Sequence, residues 1–140
     1  MIQMQKVALI PAYEPEERFL DQLPELCRAG FDCVVVDDGS GERYAAVFAR
    51  AARLAVVLTH GKNRGKGAAL KTGLRYIAET CPACVVVTVD ADGQHATADA
   101  LRVARDAETH SQALCLGCRA FSGKVPARSR FGNELTRRVF

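Results

Sequence analysis

The sequence predicts an α/β fold: a Rossmann-like, doubly wound and mainly parallel sheet flanked by helices. Three observations predict it. Short β-branched runs alternate with amphipathic stretches in the order β-α-β-α-β-α-β-α-β, the pattern of crossover units in a parallel sheet. The runs Val34 to Val36 and Val85 to Val87 are apolar at consecutive positions, as strands covered on both faces are. Polar or glycine-rich segments follow nearly every run, so chemistry-bearing residues gather at the carboxyl ends of strands, where open α/β sheets bind ligands.

Taken in order, Val7 to Ile10 is the first strand and stops at Pro11. Glu16 to Ala29 is a helix with Phe19, Leu20, Leu23 and Leu26 at helical spacing. Pro24 interrupts its pattern and Gly30 ends it. Cys33 to Val36 is the second strand, leading into Asp37-Asp38-Gly39-Ser40. Glu42 to Arg53 is a helix with Ala46, Phe48, Ala49 and Ala52 near one side, and Ala55 to Leu58 is the third strand. The loop GKNRGKG precedes a helix from Ala68 to Glu79 whose core stripe is read as Leu70, Leu74 and Ile77. Val85 to Val89 is the fourth strand. Thr97 can cap a helix running to about His110. Ala113 to Leu116 is a fifth strand, and a further helix starts at Ser129. Residues 1–140 are therefore read as a single domain, without repeats or linkers.

Composition narrows the function classes. Net charge is +3, but residues 119–140 carry six basic groups against Glu134, leaving the preceding chain slightly acidic. A basic end on an acidic body suits an anionic partner; a solvated charged helix is the plainer alternative. No run reaches the roughly 18 apolar residues of a membrane span, and MIQMQKVALI has neither the basic flank nor the cleavage site of a signal peptide. A cytoplasmic, reducing location is expected. Six cysteines include two CxxC spacings, Cys81/Cys84 and Cys115/Cys118. In a strand, an offset of three puts Cys115 and Cys118 on opposite faces, which does not suit a shared zinc ion. Cys81 and Cys84 straddle a helix-to-strand turn, a spacing also used by redox pairs. Buried free thiols are the expectation for them, as for Cys27 and Cys33.

The strand ends carry the candidate chemistry. Asp90 and Asp92 follow a buried strand as two carboxylates, costly alone and useful around a cation. They are read as ligands of Mg²⁺ or Mn²⁺ held against a diphosphate, with His95 able to join a manganese ion. A pair of aspartates is also common in turns. Its position at a strand end opposite the DDGS turn is what gives it meaning. Asp37 and Asp38 precede a glycine turn, where one carboxylate can accept from a nucleobase or a ribose and the other cap the next helix. In GKNRGKGAALKTG, glycines let a ligand approach the backbone, Arg64 and Lys66 supply charge, and a helix N-terminus follows. The segment is not a P-loop, because Gly67 stands where Ser or Thr is needed.

VALIPAY, VVVDDGS, NRGKGAALKTG, VDADGQH and LGCRAFSGKVPARSRFGN together resemble family 2 glycosyltransferases of the GT-A fold. Within them the chain is most similar to the dolichol-phosphate mannosyltransferase-like branch and its bacterial polyprenyl-phosphate relatives. The resemblance implies an inverting transfer from a nucleotide-sugar donor (GDP- or UDP-linked) with a divalent metal. It implies a lipid-phosphate acceptor, an association with the membrane surface at its inner face, and no nucleic-acid partner. It places Pro11 and Tyr13 beside the nucleobase, Asp38 against the base with Asp37 adjacent, and Arg64 and Lys66 near the nucleotide. Asp90 and Asp92 become the DxD motif, which Gln94 continues. Arg119, Arg128, Arg130 and Asn133 fall near the acceptor phosphate. Many members read Asn-Glu where this chain has Glu14-Pro15, and Ser where it has Cys118. They also continue beyond the position of Phe140, so the donor half is expected to be complete and the acceptor half incomplete. A non-catalytic nucleotide-binding part is the alternative. A receiver-like signalling domain fits less well, since its acidic pair ends the first strand and it has no use for the basic loop.

Overall fold

The computed structural model describes residues 4–93 and 97–110. Within them the chain runs β1 (Gln5–Ala12), α1 (Arg18–Arg28), β2 (Phe31–Asp37), a 3-10 turn (Glu42–Tyr44) and α2 (Ala45–Ala51). It continues with β3 (Ala55–Thr59), α3 (Lys66–Thr80), β4 (Cys84–Thr88) and α4 (Thr97–Thr109). The four strands form one parallel sheet in the order β3-β2-β1-β4. The predicted fifth strand and the helix from Ser129 lie outside the described residues.

Strand periodicity divides the core into two layers. Ala8, Ile10 and Ala12 of β1, Cys33 and Val35 of β2, and Val85 and Val87 of β4 face α1, α2 and α4. Phe19, Leu23 and Leu26 cover them from α1, and Phe19 meets Phe48 of α2 with ring centroids 6.0 Å apart. Val7, Leu9, Val34 and Val36 face the other way, toward α3. Helices thus cover both faces, as the β-branched runs predict. Pro24 sits inside α1 without ending it.

Three expectations change. The stripe of α3 is Ala69, Gly73 and Ile77, with Leu70 half-buried, while Leu74 is 46% exposed. The cause is close approach: a Cβ on Gly73 would lie 2.2 Å from Leu9 Cδ1, so the helix rides on β1 through small residues. In α2, Val47, Phe48 and Ala51 turn inward and Ala46, Ala49 and Ala52 outward, since positions i, i+1 and i+4 share one helical face and here carry the larger apolar side chains, Val47 and Phe48. β4 alternates between buried and partly exposed residues, since β1 is its one strand neighbour among the described residues. Of the described cysteines Cys33 is buried and Cys27, Cys81 and Cys84 are half-buried. Burial, with Cys27 alongside, pushes the Cys33 thiol up to about 12. Cys84 is raised to about 11 by burial and by Cys81, and its Sγ donates to the Cys81 carbonyl at 3.1 Å.

Candidate functional site

Strand order locates the site. The sequence of connections reverses between β1 and β4, and in such sheets the crevice beyond the strand ends at that point binds ligands. A cleft of about 530 Å³ lies there. Pro11, Ala12, Tyr13 and Glu14 line it from the end of β1, and Asp90, Ala91 and Asp92 from the end of β4. Asp38, Asn63, Gly65 and Lys66 close one side, and Arg18 of α1 contributes from another.

Asp37 and Asp38 are 6% and 3% exposed, and both carboxylates are held by the protein itself. Asp37 Oδ1 accepts the Ser40 amide at 2.9 Å, closing the DDGS turn. Asp38 Oδ1 accepts the Arg64 amide at 2.9 Å and lies 2.8 Å from His60 Nδ1, while its Oδ2 accepts the Gly65 amide at 2.9 Å. Burial alone would raise the Asp38 carboxyl. The bonds from His60, Arg64 and Gly65 outweigh it and hold the group below its ordinary value. Neither residue caps the following helix, which starts without a side-chain cap. Asp38 still borders the cleft, whereas Asp37 is not part of its lining.

The DDGS turn and the basic loop touch through their backbones. A Cβ on Gly39, whose φ is +76°, would lie 2.2 Å from the Lys62 carbonyl carbon. Only glycine admits that contact and that backbone angle together. The loop then enters α3 at Gly65, and the first turn has no side-chain cap, leaving its amides turned toward the cleft end of the helix. Lys66 Nζ reaches Asp90 Oδ1 at 2.5 Å, an ion pair that joins the two walls. Arg64 enters through its backbone; its side chain is exposed and does not line the cleft.

On the β1 side Glu14 has φ +46°, a left-handed conformation rare for glutamate. Its amide donates to Ser40 Oγ at 2.9 Å, so this bend is fastened to the DDGS turn. The Glu14 carboxylate beside the Tyr13 phenol raises that phenol above its ordinary value. Tyr13 is 51% exposed, a flat ring at the lip of the cleft.

The donor set suits a divalent cation. Asp90 and Asp92 offer hard oxygens on one wall, and a lysine ammonium already stands against Asp90, marking the position as cation-attracting. Among the described residues no third His, Cys, Asp or Glu completes a cluster, so further oxygens would come from a diphosphate and water. The structure therefore brings together Pro11, Tyr13, Asp38, Lys66, Asp90 and Asp92. Gln94, His95, Arg119, Arg128, Arg130 and Asn133 lie outside the described residues. Sequence reasoning placed Ser40 and His60 among the strand-end residues of the rim without giving either a role, and it missed Glu14 and Arg18 there.

A parallel sheet whose switch-point cleft pairs aspartates with a basic helix start defines the class: a Rossmann-like α/β domain with its cleft beyond the carboxyl ends of the strands. The chain matches the model of glycosyl transferase family 2 over residues 8–138 and belongs to that family. An uncharacterized protein of Methanocaldococcus jannaschii is 28% identical over 131 residues, covering 91% of this chain and 57% of its own length. The UDP-N-acetylglucosamine–dolichyl-phosphate N-acetylglucosaminyltransferase of Methanococcus voltae is 28% identical, over 89% of this chain and 57% of its own length. The undecaprenyl-phosphate 4-deoxy-4-formamido-L-arabinose transferase of Pseudomonas fluorescens is 32% identical over 71% of this chain and 31% of its own length. The chain spans about half the length, or less, of the curated relatives it matches. No helix among the described residues is long and apolar enough to cross a membrane.

Proposed function

We propose that residues 1–140 form the donor-binding part of a metal-dependent, inverting glycosyltransferase. It would move a sugar from a GDP- or UDP-sugar to a polyprenyl phosphate at the inner face of the membrane. The observation that carries this reading is the pairing across the cleft: Lys66 at the start of α3 against Asp90 at the end of β4. One wall supplies a carboxylate pair and the other a positively charged helix end, the two things a metal–diphosphate group needs. The two relatives whose names specify a lipid phosphate support the acceptor class.

In this mechanism Pro11 and Tyr13 flank the nucleobase. Lys66 and the first-turn amides of α3 grip the diphosphate and stabilise its charge as it leaves. Asp90 and Asp92 hold the Mg²⁺ or Mn²⁺, which when bound offsets the same charge. The acceptor phosphate has a second pKa of about 6 and is ionised at neutral pH, so its oxygen attacks the anomeric carbon without a strong general base. Arg119, Arg128, Arg130 and Asn133 are the groups proposed to hold that acceptor.

The test is transfer of labelled sugar from UDP- and GDP-sugars to polyprenyl phosphate in Mn²⁺. Lipid-linked product from the wild type, reduced at least a hundredfold by Asp92→Ala, is the expected result. Donor binding without transfer supports the narrower reading of a nucleotide-binding part. Binding of neither nucleotide contradicts both.

A further inference from the structure

One buried side chain of the rim does not line the cleft and is yet held at each of its polar atoms. His60 follows β3, is 8% exposed, and uses both ring nitrogens. Nδ1 lies 2.8 Å from Asp38 Oδ1 and Nε2 lies 2.7 Å from Thr72 Oγ1 on α3. The His60 amide donates to the Asp37 carbonyl at 2.8 Å, so the residue is pinned to the end of β2 by backbone as well. Asp38 is held ionised by its hydrogen bonds and a carboxylate accepts only, so Nδ1 is the nitrogen that donates. The same carboxylate gathers the amides of Arg64 and Gly65, the two residues immediately before Lys66.

We propose that His60 is a positioning residue for the donor site. Bonded to Asp38 through Nδ1 and to Thr72 through Nε2, it fixes the loop that aims Lys66 and the start of α3 into the cleft. The inference rests on the reading of the cleft as a nucleoside diphosphate site. The geometry makes the histidine the joint of three elements. β2 supplies the carboxylate, the loop supplies the amides collected by it, and α3 supplies Thr72. Without the Nδ1 proton, the buried carboxylate that collects the Arg64 and Gly65 amides loses one of its donors. Lys66 would then be presented by a loop free to shift relative to Asp90. A buried histidine serving packing alone would need only its shape, not a particular protonated nitrogen, and that difference can be measured.

Amide isosteres separate the two nitrogens. In His60→Asn the side-chain nitrogen replaces Nδ1 and keeps the bond to Asp38. In His60→Gln it replaces Nε2 and leaves Asp38 short of a donor. Affinity of the full chain for UDP and GDP in Mn²⁺ is measured by calorimetry, with thermal melts alongside. The expected result is a loss of about tenfold or more in His60→Gln, with His60→Asn largely rescued although both variants melt lower than wild type. Equal losses in both, or no loss in His60→Gln while the wild type binds, overturn the proposal alone. A wild type that binds neither nucleotide overturns the cleft reading and this proposal with it. If the variants fail to fold, the ¹⁵N imidazole spectrum of the wild type decides. A proton on Nδ1 supports the assignment, and an unprotonated Nδ1 overturns it.

Discussion

Two pairs of aspartates stand at the ends of parallel strands, and they do opposite things. Asp37 and Asp38, adjacent in sequence, are almost wholly buried, and backbone amides and His60 bind their carboxylates. Asp90 and Asp92 are spaced by one residue and open to the cleft, with the Asp90 side chain 39% exposed. The first pair builds the rim and the second lines the cleft. The difference teaches that burial under backbone amides commits a strand-end carboxylate to the fold, whereas one that lines a cleft stays within reach of what enters it.

Glycines at the two walls break that comparison most strongly. Gly39 and Gly93 have similar backbone angles, φ +76° and +74°. A Cβ at Gly39 would lie 2.2 Å from backbone, whereas one at Gly93 meets the Arg18 Cβ at 3.3 Å. Gly39→Ala is expected to destabilise the fold by about 3 kcal/mol or more and Gly93→Ala by about 1 kcal/mol. Urea denaturation compares them, and equal costs would mean that the DDGS turn and the basic loop are not in contact.

Asp38→Asn comes next. It leaves His60 Nδ1–H and two amides facing a weaker acceptor, for an expected loss of about 2–3 kcal/mol, while Asp92→Asn costs little stability. The pH dependence has a fixed sign. The folded pKa of Asp38 lies below the unfolded value near 3.8. Its contribution is therefore complete above that value and is lost as pH falls through the lower, folded pKa. Acid titrations of stability should show a shallower fall in Asp38→Asn than in wild type. An unchanged slope would remove the claim that the loop holds Asp38 ionised.

The smallest effect is expected at Glu14. Asparagine tolerates left-handed backbone better than glutamate, so Glu14→Asn should stabilise by about 0.5–1 kcal/mol. Removing the carboxylate should also let the Tyr13 phenol fall toward its ordinary value of 10.0. Ultraviolet titration of tyrosine ionisation reads this directly, and a phenol that stays put would show that the Glu14 carboxylate is not what raises it.

Much of this architecture is legible in the residues. Apolar runs mark β1 to β4, and their order with the intervening helices implies a parallel sheet and the edge on which ligands bind. Of the five stretches that carry the family resemblance, four contribute PAY, DDGS, NRGKG and VDADG around the cleft, and LGCRAFSGKVPARSRFGN lies outside the described residues. What the chain does not announce depends on contacts between distant residues. Leu74 has the right spacing for a core position, yet it is Gly73 that meets Leu9, because helix-to-strand distance is not written in periodicity. Asp38 has the right place for a base contact, yet a histidine 22 residues later claims one of its oxygens. His60 itself opens the glycine-rich basic loop, whose glycines and charges say nothing of the histidine, and only the folded loop reveals its two partners.

The central claim is that Asp90 and Asp92, not Asp37 and Asp38, hold the metal and diphosphate. Calorimetric titration of UDP and GDP, with and without Mn²⁺, against wild type, Asp92→Ala and Asp37→Asn tests it most directly. The account predicts Mn²⁺-dependent binding to wild type, binding weakened at least tenfold in Asp92→Ala, and binding close to wild type in Asp37→Asn. Binding that survives Asp92→Ala undiminished, or that needs no Mn²⁺, contradicts it.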